Sequence, residues 1–263
     1  MISSSIKYDN QYRFGDFIKD EEPSYPLLPL AHTCEAYSFR KISEQNELKV
    51  SVDSVFPNES LLYFFYGRPS YRVSTTEKPV SNCAFMPICI LVNSEVIERP
   101  KRILPFDSGA FHNGLFKNFL HPKMRSSDFF IEPELNMAAR LVNKFYGSNK
   151  NYFYSRQKSI KVPPFEFEVS SYYNLIQNLG QTDYDDRDCS IEVQLDNSVK
   201  LTSDSVLLVV LPGIFLDDTE FRSKIESLSA EVKTYHIHHG QINQYLNSMY
   251  EKVASFLDEK SYI

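Results

Sequence analysis

"LLYFFYGRPSYR", residues 61–72, is a strand that stops abruptly. Leu61, Leu62, Tyr63, Phe64, Phe65 and Tyr66 are all apolar or aromatic, as in a buried strand. Gly67 breaks the run, and Arg68, Pro69, Tyr71 and Arg72 follow at once. A loop that only turns the chain draws on Asn, Asp, Gly or Ser. This one places two guanidiniums and an aromatic ring at the end of a core strand.

Outward from this strand, the apolar patterning predicts an α+β fold. Further strands are expected at 49–52, at 85–92 (FMPICILV, with Pro87 near its start), at 190–195 (SIEVQL), at 206–211 and at 232–237. In SIEVQL the alternation puts Ile191, Val193 and Leu195 on one face and turns Glu192 and Gln194 outward. Helices are expected at 34–45, with Thr33 as its cap, and at 133–146, 170–179, 221–228 and 244–259. Residues 102–105 are read as leading into a loop, PFDSGAFHNG. Residues 1–26 read as an arm or an entry loop, and 147–170 as irregular. No internal repeat or linker divides the chain, so 1–263 is expected to be one domain with an insert at about 112–185.

The bulk numbers bound the function. With 263 residues, 42% hydrophobic and 24% charged, the chain has the composition of a sizeable globular domain. A net charge of −6 provides no global basic field for duplex nucleic acid. The first residues lack the apolar core of a secretory signal, and the longest apolar run, 206–211, is too short to span a bilayer. Cys34, Cys83, Cys89 and Cys189 form no Cys-x-x-Cys pair, which argues against structural zinc or a disulfide scaffold and suits a reducing, cytoplasmic setting. Neither Gly-x-Gly-x-x-Gly nor a Gly-Lys-Ser/Thr loop is present.

Four segments set polar groups beside core strands: "LAHTCEAYSFRKI" with His32, "LLYFFYGRPSYR", "RILPFDSGAF" with Asp107, and "DDRDCSIEVQL" with Glu192. Together they supply a histidine, tyrosines, arginines and a carboxylate. Arginine forks suit a pyrophosphate, aromatic faces suit a nicotinamide ring, and a carboxylate stabilises the oxocarbenium formed when a glycosidic bond breaks. Each residue also has an ordinary reading. His32 suits a hydrogen-bonded core position, the tyrosines suit core, Asp107 before Ser108-Gly109 is a good turn, and Glu192 suits a solvated strand face. "HIHHG" (His236, His238, His239) and the acidic run at 183–188 read as exposed surface rather than metal sites.

A His-Thr start before a helix, an aromatic strand ending in an Arg turn, and a late strand carrying a Glu resemble the ADP-ribosyltransferases, most closely the DarT-type enzymes that modify nucleic acid. The resemblance spans about 30–110 and 185–212. It implies a split mixed or antiparallel sheet with flanking helices, NAD as co-substrate, and transfer of ADP-ribose to a single-stranded DNA or RNA base, in a toxin or anti-phage effector. It assigns Glu192 and Arg68 to catalysis, and His32, Thr33, Tyr63, Tyr66, Tyr71 and Asp107 to NAD binding. A protein antitoxin or regulatory partner, and no membrane, complete the expectation. The alternatives are an NAD glycohydrolase and a non-catalytic interaction module of the same fold.

Overall fold

The computed structural model describes residues 13–70, 82–177, 186–228, 231–238 and 242–263. Along the chain run α1 (Arg13–Asp16), β1 (Leu30–Glu35), α2 (Ala36–Gln45), β2 (Glu47–Leu48), β3 (Ser51–Val52), β4 (Ser60–Tyr66), β5 (Pro87–Val92), β6 (Arg102–Leu104), α3 (Ser108–His112), α4 (Leu135–Tyr146), α5 (Asn149–Phe153), α6 (Phe167–Gln177), β7 (Glu192–Leu195), β8 (Val199–Lys200), β9 (Val206–Pro212), α7 (Thr219–Leu228), β10 (Val232–Tyr235) and α8 (Ile242–Glu259). The main sheet has the order β10-β9-β5-β1-β4-β7-β6, with β3 added on β4. Its pairings are antiparallel except that of β10 with β9. The fold is α+β, a mixed and mainly antiparallel sheet with flanking helices.

The sheet is covered on both faces over its middle strands. On one face Leu30, Phe64, Tyr66, Ile90 and Val193 join Leu141, Phe145 and Tyr172 from α4 and α6. On the other, Ala31, Leu91, Leu208 and Val210 lie under Tyr245, Met249, Val253 and Phe256 of α8. The spacing of those α8 residues is that of one helix face. This explains PICILV in β5, which is buried at every residue: a strand with helices on both sides has no use for alternation. Pro87 takes its first position, where a missing N–H is tolerated. The described part of 112–185 is not an appendage to this body. Its helix α4 buries Leu141, Val142 and Phe145 in the larger core.

Several local expectations change. The described part of the expected arm is packed into the body, with Phe14 and Ile18 buried in the larger core, and 147–170, expected to be irregular, holds α5 and the start of α6. Residues 34 and 35 are strand rather than helix, because β1 pairs with β5 from Leu30↔Val92 through to Glu35↔Pro87. The helix therefore starts at Ala36, and Thr33 lies within the strand rather than capping the helix. Residues 102–104, expected to lead into a loop, are instead an edge strand paired with β7.

β1 and β4 pair only at Leu30↔Tyr66 and Ala31↔Phe65. Beyond Ala31 the ladder ends, and His32 bridges the two strands instead, its Nδ1 donating to the Tyr63 carbonyl at 2.9 Å. The closed end of this pair is set by Gly67. Its N–H donates to the Pro29 carbonyl at 2.8 Å and its φ is +69°. A Cβ there would lie 2.5 Å from Leu28 Cδ1 and 3.0 Å from Leu28 Cβ, inside the core. Gly67→Ala therefore meets both backbone strain and a clash. A loss of about 2 kcal/mol or more in urea-unfolding free energy is expected. A variant as stable as the parent would show that the turn relaxes freely.

Candidate functional site

The register of three strands assembles one polar group. Gln194 of β7 lies opposite Tyr63 of β4 on one side and Arg102 of β6 on the other. Glu192, two residues earlier, shares their face, opposite Phe65 and Leu104. The expected alternation is present, but the outward face is not solvated: Glu192 is 1% exposed and Gln194 fully buried. Segment 53–59 folds back across it. Asp53 Oδ2 accepts from Tyr63 Oη at 2.7 Å, and the Phe56 ring centre lies 4.0 Å from the Arg102 guanidinium carbon.

A buried carboxyl needs donors, and Ser108 and Gln194 supply them to Glu192. The Ser108 N–H at the start of α3 donates to Oε2 at 2.9 Å, and Gln194 Nε2 donates to Oε1 at 2.5 Å. Gln194 Nε2 also reaches Ser108 Oγ at 3.3 Å. Asp107 caps α3, its Oδ1 accepting from the Ala110 N–H at 2.5 Å, so the expected turn exists and its charge lies close to Glu192. Burial, reinforced by Asp107, pushes the Glu192 carboxyl from 4.5 up to about 8, against the pull of the Gln194 and Ser108 hydrogen bonds.

The other expected site residues fall into three places. His32 lies on the opposite face of the sheet, its ring 5.7 Å from that of Phe64. Burial lowers its pKa, so the ring is neutral; with Nδ1 donating, Nε2 is the acceptor. Beside it opens a cleft of about 830 Å³ lined by His32, Leu62, Arg40, Lys41 and Lys49. Thr33 points to the α8 side and is buried next to Cys89, its partner across the ladder. Tyr63 belongs to both faces: its carbonyl holds His32, and its hydroxyl donates to Asp53 and lies beside Ser108 and Glu192.

Tyr66 and Arg68 belong to the scaffold. Tyr66 is fully buried, and its Oη accepts from the Leu28 N–H at 3.0 Å. Arg68, which the resemblance assigns to catalysis, is 3% exposed. Its Nη1 donates to the Tyr152 carbonyl at 3.0 Å and to Ser155 Oγ at 2.9 Å, and its Nη2 to Asp186 Oδ2 at 3.0 Å. Ser70 and Tyr250 donate to the same Asp186 carboxylate. The reason is electrostatic: a buried guanidinium is retained only with a carboxylate and further acceptors around it. Arg68 and Glu192 share none of these hydrogen-bond partners. Tyr71 lies outside the described residues.

Sequence reasoning missed Gln194, Ser108, Asp53 and Arg102 as members of the group. Gln194 was legible in principle, since i and i+2 share a strand face. The other three come from elements that nothing in the sequence pairs with β7. Among the described residues no three His, Cys, Asp or Glu side chains are placed to hold a metal, and no helix is long and apolar enough to cross a membrane.

Comparison with protein-family models, curated proteins and solved structures returns no match.

Two outcomes are expected. Between the ordinary carboxyl value of 4.5 and about 8, folded Glu192 holds a proton that the unfolded chain has released. Stability therefore falls as pH rises across that window, and the loss is complete above about pH 8. Urea melts at pH 5, 7 and 9 should show this fall in the parent and a flatter profile in Glu192→Gln; parallel profiles would contradict it. Arg68→Met strips Asp186 of its buried cation and should lower unfolding free energy by about 3–5 kcal/mol. A loss under about 1 kcal/mol would mark this pair as solvent-compensated.

Proposed function

We propose that this chain is an NAD-dependent mono-ADP-ribosyltransferase with Glu192 as its catalytic carboxylate. The observation that carries the reading is a juxtaposition. The three segments that resemble this enzyme family, His-Thr, the aromatic strand and the late Glu strand, occupy the adjacent strands β1, β4 and β7. The first two pair at Leu30↔Tyr66 and Ala31↔Phe65 within one continuous sheet and part at His32.

The cleft beside His32 suits a dinucleotide in size, its volume of about 830 Å³ being that of a ligand pocket. Its lining is mixed in charge: Arg40 and Lys41 offer cations to a pyrophosphate, while Glu44 and Glu47 also line it and Glu47 pairs with Lys49 at 3.5 Å. Arg68 and Tyr66, being scaffold, have no part in this version of the site. In the reaction, the bond between the nicotinamide nitrogen and ribose C1′ breaks, and its electron pair leaves with neutral nicotinamide. The ionised Glu192 carboxylate stabilises the oxocarbenium left behind. An acceptor nitrogen or oxygen then bonds to C1′ and releases its proton. Because only ionised Glu192 serves, the rate should climb as pH rises through about 8. Resemblance favours a nucleic-acid base as acceptor and a protein antitoxin as regulator. With water as acceptor the same chemistry is NAD glycohydrolysis.

One observation favours a second reading, a non-catalytic interaction module. Glu192 is 1% exposed and lies on the sheet face opposite His32 and the cleft. The deciding experiment uses NAD labelled in its adenylate half, with single-stranded DNA, RNA and cell extract as separate acceptors. Label on one acceptor, lost at least about 100-fold in Glu192→Gln, is the expected result. Free ADP-ribose alone identifies the glycohydrolase. Intact NAD in every arm leaves the interaction module.

A further inference from the structure

We infer that Arg102 is a positioning residue that dictates which end of the Gln194 amide faces Glu192, and so controls the charge of that carboxyl. The inference rests on the reading of Glu192 as the catalytic group, but its test does not need turnover.

A guanidinium only donates hydrogen bonds. Arg102 Nη1 donates to Gln194 Oε1 at 2.5 Å, so that oxygen must point at Arg102. The amide nitrogen then has one direction left, toward Glu192 Oε1 at 2.5 Å and Ser108 Oγ at 3.3 Å. A donor in that place favours the carboxylate form. Turned by 180°, the amide would offer Glu192 a carbonyl oxygen, which accepts only from the protonated acid.

Arg102 is held firmly enough to impose this choice. Its Nη2 donates to both oxygens of Glu59, at 2.8 and 2.9 Å. Its guanidinium carbon lies 4.0 Å from the ring centre of Phe56 and 5.2 Å from that of Phe130. Glu59 and Phe56 both come from the segment that covers the site, while the arginine itself is on an edge strand. Its side chain is 13% exposed and that of Glu59 is 32% exposed, so the chain of contacts runs from solvent to the buried acid. The other titratable groups around Glu192 are Asp107 before α3, Tyr63 on β4 and Asp53 behind Tyr63. None of these reaches Glu192 through the Gln194 amide.

The test is a carboxyl titration by ¹³C NMR on protein labelled at glutamate, with Glu192→Gln identifying the resonance. Arg102→Met and Arg102→Gln both free the amide, and each folded variant should show the Glu192 midpoint raised by about one pH unit, a tenfold change in proton affinity. Arg102→Lys, which also only donates, should return the midpoint toward the parent. The loss of a nearby positive charge is separated by a cycle: in a Gln194→Met background, Arg102→Met should add no further shift. An unmoved midpoint in both neutral variants overturns the inference. So does a lysine variant displaced as far as the methionine one, or a full second shift in the Gln194→Met background. NAD cleavage, assayed separately, reports on the catalytic reading alone.

Discussion

The register that sets Gln194 between Tyr63 and Arg102 governs what this sheet can do. A slip of one residue in β7 would exchange Val193 with Glu192, driving a carboxyl into the larger core and a valine out of it. With the register as it is, Val193 packs among apolar neighbours, and Glu192 comes within reach of Ser108 and Gln194. Burying an unpartnered carboxylate costs several kcal/mol, so this face is stable only because donors are waiting there. The Ser108 N–H and the Gln194 amide held by Arg102 meet that requirement, while the neighbouring charge of Asp107 works against it.

The two ends of the sheet are covered by different means. Over β5 and β9 a long helix, α8, supplies a continuous apolar face. Each fully buried aliphatic or aromatic side chain there contributes about 1.5–3 kcal/mol relative to an exposed one. Over β4, β7 and β6 segment 53–59 reaches across through Asp53, Phe56 and Glu59, which meet Tyr63 and Arg102. Polar cover of this kind holds by directed contacts, and such segments open more readily than packed helices. On the reverse side, the parting of β1 from β4 leaves His32 at the edge of an open cleft. Tyr63 is the residue through which the two sides meet.

Two arginines illustrate how burial assigns roles. Arg68 closes the Gly67 turn against Asp186, and Tyr250 of α8 donates to the same carboxylate, so the turn, the approach to β7 and the last helix are tied at one point. Arg102 has a similar pairing with Glu59 but spends its remaining Nη1 contact on a side-chain amide next to a titrating acid. The first ties distant segments together, and the second holds the amide that donates to Glu192. In sequence the prominent arginine was Arg68, because it follows a glycine at the end of an aromatic strand. Arg102 had no comparable mark.

The elements with strong periodicity were legible in the chain itself. The aromatic run at 61–66, the apolar run at 206–211 and the helical stripe at 244–259 each correspond to an element within a few residues. Alternation in SIEVQL also assigned Glu192 and Gln194 to one face, as β7 has them. Local pattern reports the sides of a strand, because side-chain direction is a property of neighbouring residues. It does not report what lies over a side. Whether Glu192 meets water or Ser108, whether Thr33 caps a helix or pairs with Cys89, and whether Arg68 faces a cleft or Asp186 all depend on segments distant in the chain. Those contacts arise only when the sheet closes, and with them come the desolvation and the fixed donors that determine the charge of Glu192.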